Sequence, residues 1–556
     1  MRLHHRIRRV RIVTAATLLA LSVFATSVSV FAQSAPTPLA LALQNAAAQV
    51  AAQPQGEIVK RLSIDEAVSL AMEQNLGIRI QRIDPQIQDT GVALARSNWA
   101  PAFSTSVQRI NQTQASTSSL SGGGPNGIDN GTFNTAVGLA QTLPWGGNYT
   151  ATWNSQRYTT TNLFASFSPQ LSSNLNLQFT QPLLRNFSVD AIRNQVQTSR
   201  KVRDLADINL QTVITQTLRS VRNAYWDLSY AINSLKAQQD ALALSQQLLK
   251  DNQKRVEIGT LAPLDIVQAQ AEVASNESGV IVAEAAIKQA QDNLRILVLD
   301  PAAPDFWNIT FDPTDGAEFA AQKVDAEAVV RNALDKRSDL RAAKNSMEQS
   351  NINIKYYANQ IKPDVNATVG YNPVGVGGAL LSPIDLASIS SGASPTRSIV
   401  SNQGFGSILG DVFNGANPTW TFGITVGYPL GANTAHANLA RVRLEYQQAE
   451  ATLKNQQMQV VAQVRSAVRN VNTNQQRVQA ARASRELQEK KLDAEEKKLA
   501  AGMSSTFLVF QAQRDLSAAR TVEIQAISDY NKSLVDLEAV QQVPINGGIN
   551  LVQVAR

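Results

Sequence analysis

The sequence of 556 residues contains no cysteine and only three histidines. The missing cysteine excludes a disulfide framework, a thiolate metal site and a lipid-anchored N-terminal cysteine. His4 and His5 lie in the N-terminal segment, and His436 lies in a long polar helical pattern, so we interpret His436 as a surface residue rather than the base of a Ser-His-Asp triad. No phosphate-binding G-x-x-x-x-G-K-[ST] loop is present, because SGGGPNG at 121–127 lacks the lysine. The sequence therefore predicts no catalytic residues, no cofactor, no metal and no enzyme.

The first residues have the pattern of a secretory signal peptide. Residues 1–32 carry five arginines and no acid, followed by an apolar run that ends in VFA, so we expect cleavage after Ala32. An N-terminal membrane anchor is the alternative, although small and hydroxylated residues dilute the run. Without this segment 45 basic residues face 44 acidic ones. The basic balance of the whole sequence therefore gives no reason to expect a nucleic-acid partner.

Apolar residues recur every seven positions in two parts of the chain. The first series is Val221, Leu228, Leu235, Leu242, Leu249 and Val256. Moving it by 243 positions gives the second series, Val464, Val471, Val478, Arg485, Leu492 and Leu499. Such heptads predict long helices that pack side by side. The ungapped match, which also aligns Gly259 with Gly502 and Pro301 with Pro544, predicts two copies of one unit.

Each copy predicts a long helical hairpin. No proline or glycine interrupts the helical pattern from Val189 to Ile258, a length of roughly 105 Å at about 1.5 Å per residue. Gly259 is expected to end this helix and Pro263 to begin the returning one. In the second copy Gly502 takes the same place, and the cluster from Ser504 to Thr506 is expected to cap the next helix.

Six segments upstream of the long helices alternate small or apolar residues with polar ones. They are residues 101–114, 132–143, 148–160, 171–183, 363–371 and 419–430. This alternation is typical of outer-membrane barrel strands, although a soluble sandwich is an alternative.

Aromatic residues are expected near the strand ends: Trp99, Trp145, Trp153, Tyr158, Tyr371, Trp420, Phe422 and Tyr428. Prolines are expected at the strand–helix junctions: Pro101, Pro182, Pro363 and Pro429. The Gly-, Ser- and Asn-rich residues 115–131 and 372–418 are expected to form extracellular loops.

Five segments resemble the TolC family of outer-membrane efflux proteins, in order and across nearly the whole mature chain. They are LSIDEAVSLAMEQNL (62–76), QFTQPLLRNF (178–187), GTLAPLDIVQAQAEV (259–273), DLRAAKNSMEQSNINIKYYANQIKPDVNATVGY (339–371) and AAGMSSTFLVFQAQRDLSAA (500–519).

The resemblance implies a mixed α and β fold: a homotrimeric transmembrane β-barrel of twelve strands, continued by a long α-helical barrel in the periplasm. It also implies an outer-membrane location in contact with outer-membrane lipid, and two kinds of protein partner, a periplasmic adaptor and an inner-membrane efflux pump or ABC transporter. The expected divisions are signal peptide 1–32, flexible extension 33–61, first repeat 62–301, linker 302–322, second repeat 323–544 and tail 545–556.

The periplasmic tip, where the resemblance implies gating and adaptor docking, is the candidate site. Its expected residues are Gly259, Thr260, Leu261, Leu264, Asp265, Gly502, Met503, Ser504, Phe507, Leu508 and Gln511. Related tips close through polar contacts and acidic rings, but Leu508 and Gln511 stand where acids are often found. We therefore expect a gate packed from Leu261, Leu264, Phe507 and Leu508, with Asp265 making at most a hydrogen bond.

Two questions stay open. The first copy has four strand-like segments where the family needs two, with a tight turn expected at LPWGG, 143–147. The extra pair is either an extended extracellular hairpin, which we favour, or part of a barrel with more strands per protomer. The function implied is an exit duct for efflux or type I secretion, and the alternative is a periplasmic coiled-coil scaffold or adhesin without channel activity.

Overall fold

A computed structural model describes residues 58–115, 127–316, 319–384, 397–428, 430–431 and 433–542. The predicted signal peptide with its cleavage at Ala32, the junction proline Pro429 and the tail 545–556 lie outside the described residues. The chain divides into two units. The small one contains residues 303–312 and its described residues 58–61; the large one holds the rest.

The small unit is a pair of short strands. Strand β1 (Ile58–Leu62) pairs with β6 (Ile309–Pro313), and the Ile58 amide donates to the Asn308 carbonyl at 2.9 Å. Phe306 and Trp307 meet edge to edge with ring centroids 4.9 Å apart. These strands fall in the segments expected to be a flexible extension and a linker, where composition predicted no strand.

Helices of matching length repeat through the large unit. They are α1 (Ile64–Gln74), α2 (Leu76–Ser97), α3 (Ala191–Glu257), α4 (Pro263–Val298), α5 (Ala326–Lys336), α6 (Ser338–Gln360), α7 (Phe405–Phe413), α8 (Thr434–Ala500) and α9 (Thr506–Gln541). Helices α3 and α8 both have 67 residues, and α4 and α9 both have 36. All four ends of α8 and α9 are displaced by 243 residues from those of α3 and α4, so the predicted repeat and its register are confirmed.

The heptad positions supply the contacts between these helices. Val221, Leu228, Val464 and Val471 are fully buried. Helix α3 packs against α4, α9, α6 and α2, and α8 packs against α9, α6 and α5. The one charged heptad position, Arg485, forms ion pairs with Glu523 of α9 at 2.5 Å and with Glu489 at 2.9 Å. No helix among the described residues has a stretch long and apolar enough to cross a bilayer.

All six predicted strands are present and belong to one antiparallel sheet. They are β2 (Ala102–Gln114), β3 (Ile128–Thr142), β4 (Asn148–Thr160), β5 (Phe167–Pro182), β7 (Asp364–Leu381) and β9 (Pro418–Gly427). The order is β2-β3-β4-β5-β7, and β9 pairs with the free edge of β7 beside a short seventh strand, β8 (Ile399–Asn402). Pro101 and Pro363 directly precede β2 and β7, and Pro182 is the last residue of β5.

Two expectations about this sheet are wrong. The described residues of the segments expected to be loops, 115–131 and 372–418, include the start of β3, the second half of β7, strand β8 and helix α7, whereas 116–126 and 385–396 lie outside the described residues. The glycine content of 372–418 does not reflect a loop throughout, because Gly375 lies inside β7 where the Ile408 carbonyl of α7 approaches the strand. The extra strand pair is also not an extended extracellular hairpin, because β3 and β4 lie inside the sheet, between β2 and β5.

Candidate functional site: a two-faced sheet and paired helical tips

The sheet has one mainly apolar face, which also carries Thr105, Arg109, Thr135, Ser155 and Arg157, and one mainly polar face, which also carries Ala136, Val374 and Val376. Residues directly opposite across antiparallel strands share a face, and neighbours along a strand alternate. The register therefore places on one face Phe103, Val107, Val137, Leu139, Trp153, Leu175, Leu177, Phe179, Val369, Tyr371, Trp420, Phe422, Ile424 and Val426. The other face carries Ser104, Ser106, Gln108, Asn134, Thr150, Thr152, Asn154, Asn174, Asn176, Gln178, Thr368, Thr421 and Thr425.

This division fits a barrel wall with lipid on one side and water on the other. The apolar side chains of β9 are almost uncovered in the single chain, with Phe422 at 74% exposure and Ile424 at 72%. Side chains on the polar face form hydrogen bonds with each other; for example, the Asn174 side-chain amide donates to Asn372 Oδ1 at 3.1 Å. The expectation that all the aromatic residues mark strand ends is wrong for Trp153 and Tyr371, which lie well inside β4 and β7.

Helix α7 covers part of the apolar face. The α7 residues Ile408 and Val412 are buried. Phe405 of α7 contacts Trp153 of β4, with ring centroids 6.4 Å apart. A Cβ at Gly375 would lie 2.4 Å from the Ile408 carbonyl oxygen, so only glycine permits this approach.

Both helical hairpins end in the same backbone motif. In the first, the Gly259 amide donates to the Val256 carbonyl at 2.9 Å and the Thr260 amide to the Arg255 carbonyl at 2.8 Å. In the second, Gly502 donates to Leu499 at 3.1 Å and Met503 to Lys498 at 2.8 Å. These are the two bonds of a Schellman motif, which needs a left-handed residue. Gly259 has φ 77° and Gly502 has φ 73°, the conformation that glycine adopts without a steric penalty.

Only one of the two returning helices begins as the sequence predicted. Pro263 is the first residue of α4, as expected, but no side chain caps the first turn of α9. The hydroxyls of the expected cap bind acids instead. Ser504 Oγ donates to Glu495 Oε2 at 2.8 Å, and Thr506 Oγ1 donates to Asp265 Oδ1 at 2.8 Å. Asp265 thus accepts a hydrogen bond from the other repeat.

Glu495 and its neighbour Glu496 sit in different environments. Hydrogen bonds from Lys498 and then from Ser504 lower the pKa of Glu495. Burial, and then the charge of Asp493, raise the pKa of Glu496. Sequence reasoning missed the Glu495–Ser504 bond. The signal was available, because Glu495 and Ser504 flank the turn at Gly502.

Three of the four apolar residues proposed as a gate are exposed in the single chain. Leu264 is 65% exposed, Phe507 54% and Leu508 44%. Behind them Val509, Phe510, Ala512 and Leu516 are buried, and Val509, Ala512 and Leu516 form a cluster with Leu492. Ile258, Val267 and Met503 add further exposed apolar surface at the tips, and sequence reasoning missed the first two of these. Gln511 lies on the exposed side of α9.

A two-faced sheet continued by long paired helical hairpins defines an outer-membrane channel of the TolC type. The family model for outer membrane efflux proteins matches residues 147–298 and 329–540, and the chain belongs to this family. The resemblance inferred from the sequence is therefore confirmed. It is a family of channels rather than of enzymes. A search of curated proteins found no match.

Several solved structures have a similar fold. The CmeC outer membrane channel of Campylobacter jejuni has a TM-score of 0.57 at 14% identity, covering 86% of this chain and 85% of that one. VceC of Vibrio cholerae has a TM-score of 0.57 at 14% identity over 86% and 96%. MtrE of Neisseria gonorrhoeae, in its open state, has a TM-score of 0.57 at 17% identity over 86% and 88%. At these identities the likeness extends to the fold.

Proposed function

We propose that this chain is the outer-membrane exit duct of a tripartite efflux or type I secretion system. Three copies form the duct, which passes substrates from an inner-membrane transporter and a periplasmic adaptor to the outside. The observation that carries this proposal is the union, in one chain, of the two-faced sheet with two matched helical tips. The sheet fits a barrel wall in the outer membrane, and hairpins of about 100 Å reach into the periplasm.

The tips are the proposed docking and gating surface. Each copy presents two Schellman turns with exposed apolar residues beside them, and a trimer would present six. Because Leu264, Phe507 and Leu508 are exposed in one chain, their packing is left to neighbouring copies or to the adaptor. Asp265 is hydrogen-bonded to Thr506, so the closure proposed here is apolar rather than an acidic ring.

Planar-bilayer recording on detergent-purified protein tests the proposal. We expect a heat-modifiable trimer that inserts and conducts ions. Protein found only in the soluble periplasm, with no channel activity, would instead support the coiled-coil scaffold or adhesin.

The cargo needs a separate experiment. A gene deletion should be compared with the parent strain for tolerance of solvents, metals and antibiotics, and for protein secretion. Lost tolerance with normal secretion would assign efflux, and the reverse would assign type I secretion.

A further inference from the structure

The β3–β4 hairpin is a full part of the sheet. Strand β3 pairs with β2 over thirteen residue pairs and with β4 over thirteen more, and β4 pairs with β5 over eleven. None of these three ladders contains a register shift. Each chain thus contributes six long strands to one sheet: β2, β3, β4, β5, β7 and β9.

The turn between β3 and β4 lies at the end of the sheet that joins the helices. The Leu143 amide donates to the Gly147 carbonyl at 2.7 Å, which closes the turn. A Cβ at Gly146 would meet the Arg193 guanidinium at 2.4 Å and the Asn186 carbonyl at 2.8 Å, both of which lie where β5 gives way to α3. Next to the turn, Gln141 Nε2 donates to the carbonyl of Trp99, where α2 gives way to β2, at 2.8 Å. The hairpin therefore runs the full height of the sheet and is fixed to both neighbouring junctions.

The hairpin also continues the two faces of the sheet. Val137 and Trp153 stand opposite each other in a row on the mainly apolar face that runs from Thr105 to Leu175. Ala136 and Asn154 belong to the neighbouring row on the polar face, between Ser106 and Asn174. A hairpin that projected beyond the membrane would have water on both faces, so its alternation would not need to match that of the neighbouring strands.

Among the described residues, no strand pairs with the outer edge of β2 or of β9. Strands β2 and β9 stand at opposite ends of the strand order, and every residue of both is exposed. In a bilayer such edges have to be paired, because no water is present to satisfy their amides and carbonyls. Another copy of the chain offers the complementary edge.

We infer that β9 of one copy pairs with β2 of the next, so that three copies close a barrel of eighteen strands rather than the twelve that the family resemblance implies. This inference rests on the proposed trimeric channel. At a strand spacing of about 4.8 Å and a tilt of about 40°, twelve strands give a backbone diameter of about 24 Å and eighteen give about 36 Å.

The extra width belongs to the barrel alone. Only β2, β5, β7 and β9 are continued by long helices, through α2, α3, α6 and α8, whereas β3 and β4 are joined by the tight turn. The number of helical segments per chain is therefore unchanged by the hairpin. In such a duct the exit barrel is wider than a twelve-stranded one, and the helical tips set the size of cargo that passes.

Deletion of the hairpin tests the inference. Residues 128–160 begin and end at the same edge of the sheet, where Thr161 Oγ1 accepts from the Asp129 amide at 2.8 Å, so their removal joins β2 to β5 without reversing either strand. Electron microscopy of purified trimers should show a barrel of about 36 Å for the full chain and about 24 Å for the deletion variant. A full-length trimer with a barrel of about 24 Å would overturn the inference and leave the proposed channel intact. The absence of any trimer would refute both.

Introduced cysteine pairs provide a second measurement, which can be made in the full-length chain even if the deletion variant does not fold. The chain has no cysteine, so any disulfide comes from the introduced pair. Ser106→Cys with Ala136→Cys joins directly opposite residues and should form a disulfide within the chain. Ser106→Cys with Asn174→Cys spans three strand spacings, about 14 Å, and should stay reduced in the full chain. The same pair should form a disulfide once residues 128–160 are removed, and its formation in the full-length trimer would contradict the inference.

The new edge can be tested directly. Ser106→Cys combined with Thr421→Cys or Thr425→Cys places both thiols on the polar face, one on each free edge. Pairing of β9 with β2 predicts disulfide-linked oligomers up to the trimer on a non-reducing gel for at least one combination. If both combinations give only monomer while the trimer persists in detergent, then these edges do not meet.

Discussion

The hydroxyl of Thr506 donates a hydrogen bond to Asp265 Oδ1 at 2.8 Å, although 241 residues separate them. Thr506 is the first residue of α9, and Asp265 lies in the first turn of α4. This contact therefore joins the two hairpins of one chain next to the tips, at two positions where the repeats have different residues.

Loss of this bond is expected to loosen the tips. Hydrogen bonds to charged groups contribute about 1.5 to 3 kcal/mol, so Thr506→Val should raise the open probability in planar bilayers by about tenfold. Thr506→Ser keeps the hydroxyl and serves as the control. If the valine and serine variants conduct alike, the bond does not hold the tips in place.

The two tip glycines should be intolerant of alanine. No heavy atom of the described residues lies within 4 Å of a Cβ at Gly259 or Gly502, so the cost of substitution comes from the left-handed backbone, about 1 kcal/mol at each position. Hydrogen exchange of the amides of Thr260 and Met503 should become about fivefold faster. Gly91→Ala, in the middle of α2, is the matched control and should leave tip exchange unchanged while raising helix stability. Unchanged exchange in the tip variants would show that the left-handed backbone at these glycines does not determine the stability of the tips.

A buried ion pair between α3 and α9 should respond strongly to loss of one partner. Arg222 Nη1 donates to Glu538 Oε2 at 2.7 Å, with Arg222 9% and Glu538 17% exposed at their side chains. Glu538→Ala leaves the guanidinium buried without its partner and should cost about 3 kcal/mol in stability. Thermal unfolding followed by helical circular dichroism measures this cost. The double variant Arg222→Met, Glu538→Leu should recover most of the loss, and a double variant as unstable as the single one would contradict this account.

The same pair predicts a pH dependence. Burial raises the pKa of Glu538 above its ordinary value of 4.5, and Arg222 opposes the shift. Because the folded-state pKa is the higher one, the folded state holds the proton more tightly. The stability from this group is therefore complete below pH 4.5 and falls as the pH rises through the folded-state pKa. Glu538→Gln should remove this part of the pH profile, and an unchanged profile would assign the dependence to other groups.

The helical part of the molecule could be predicted because its signals are local and repeated. Heptads fixed the packed face, Gly259 and Gly502 fixed the ends, and the constant displacement of 243 residues fixed the register. The alternating segments predicted all six long strands for the same reason, since the period of two is visible along each strand.

Features that depend on contacts distant in sequence were missed. Whether a hairpin lies inside a sheet or projects from it depends on the strands with which it pairs. The residues 128–160 contain no local signal that identifies those strands. Gly375 suggested a loop, because the residue that requires a glycine there, Ile408 of α7, lies some thirty residues later in the sequence. Likewise Ser504 and Thr506 have the composition of a helix cap, but Glu495 and Asp265 accept their hydrogen bonds.

The packing of α7 on the sheet should depend on Gly375. Gly375→Val would bring a side chain within 2.4 Å of the Ile408 carbonyl oxygen and 3.0 Å of Ile408 Cγ2, so α7 has to leave the apolar face. Exposure of the buried Ile408 and Val412 should make residues 403–417 several times more sensitive to protease, while the long helices keep their circular dichroism. Gly423→Val is the matched control, because no heavy atom lies within 4 Å of its Cβ and valine suits a strand. Ile408→Asn weakens the same contact from the helix side and should reproduce the effect. Equal cleavage of the Gly375 and Gly423 variants would mean that α7 is held by its connections rather than by this packing.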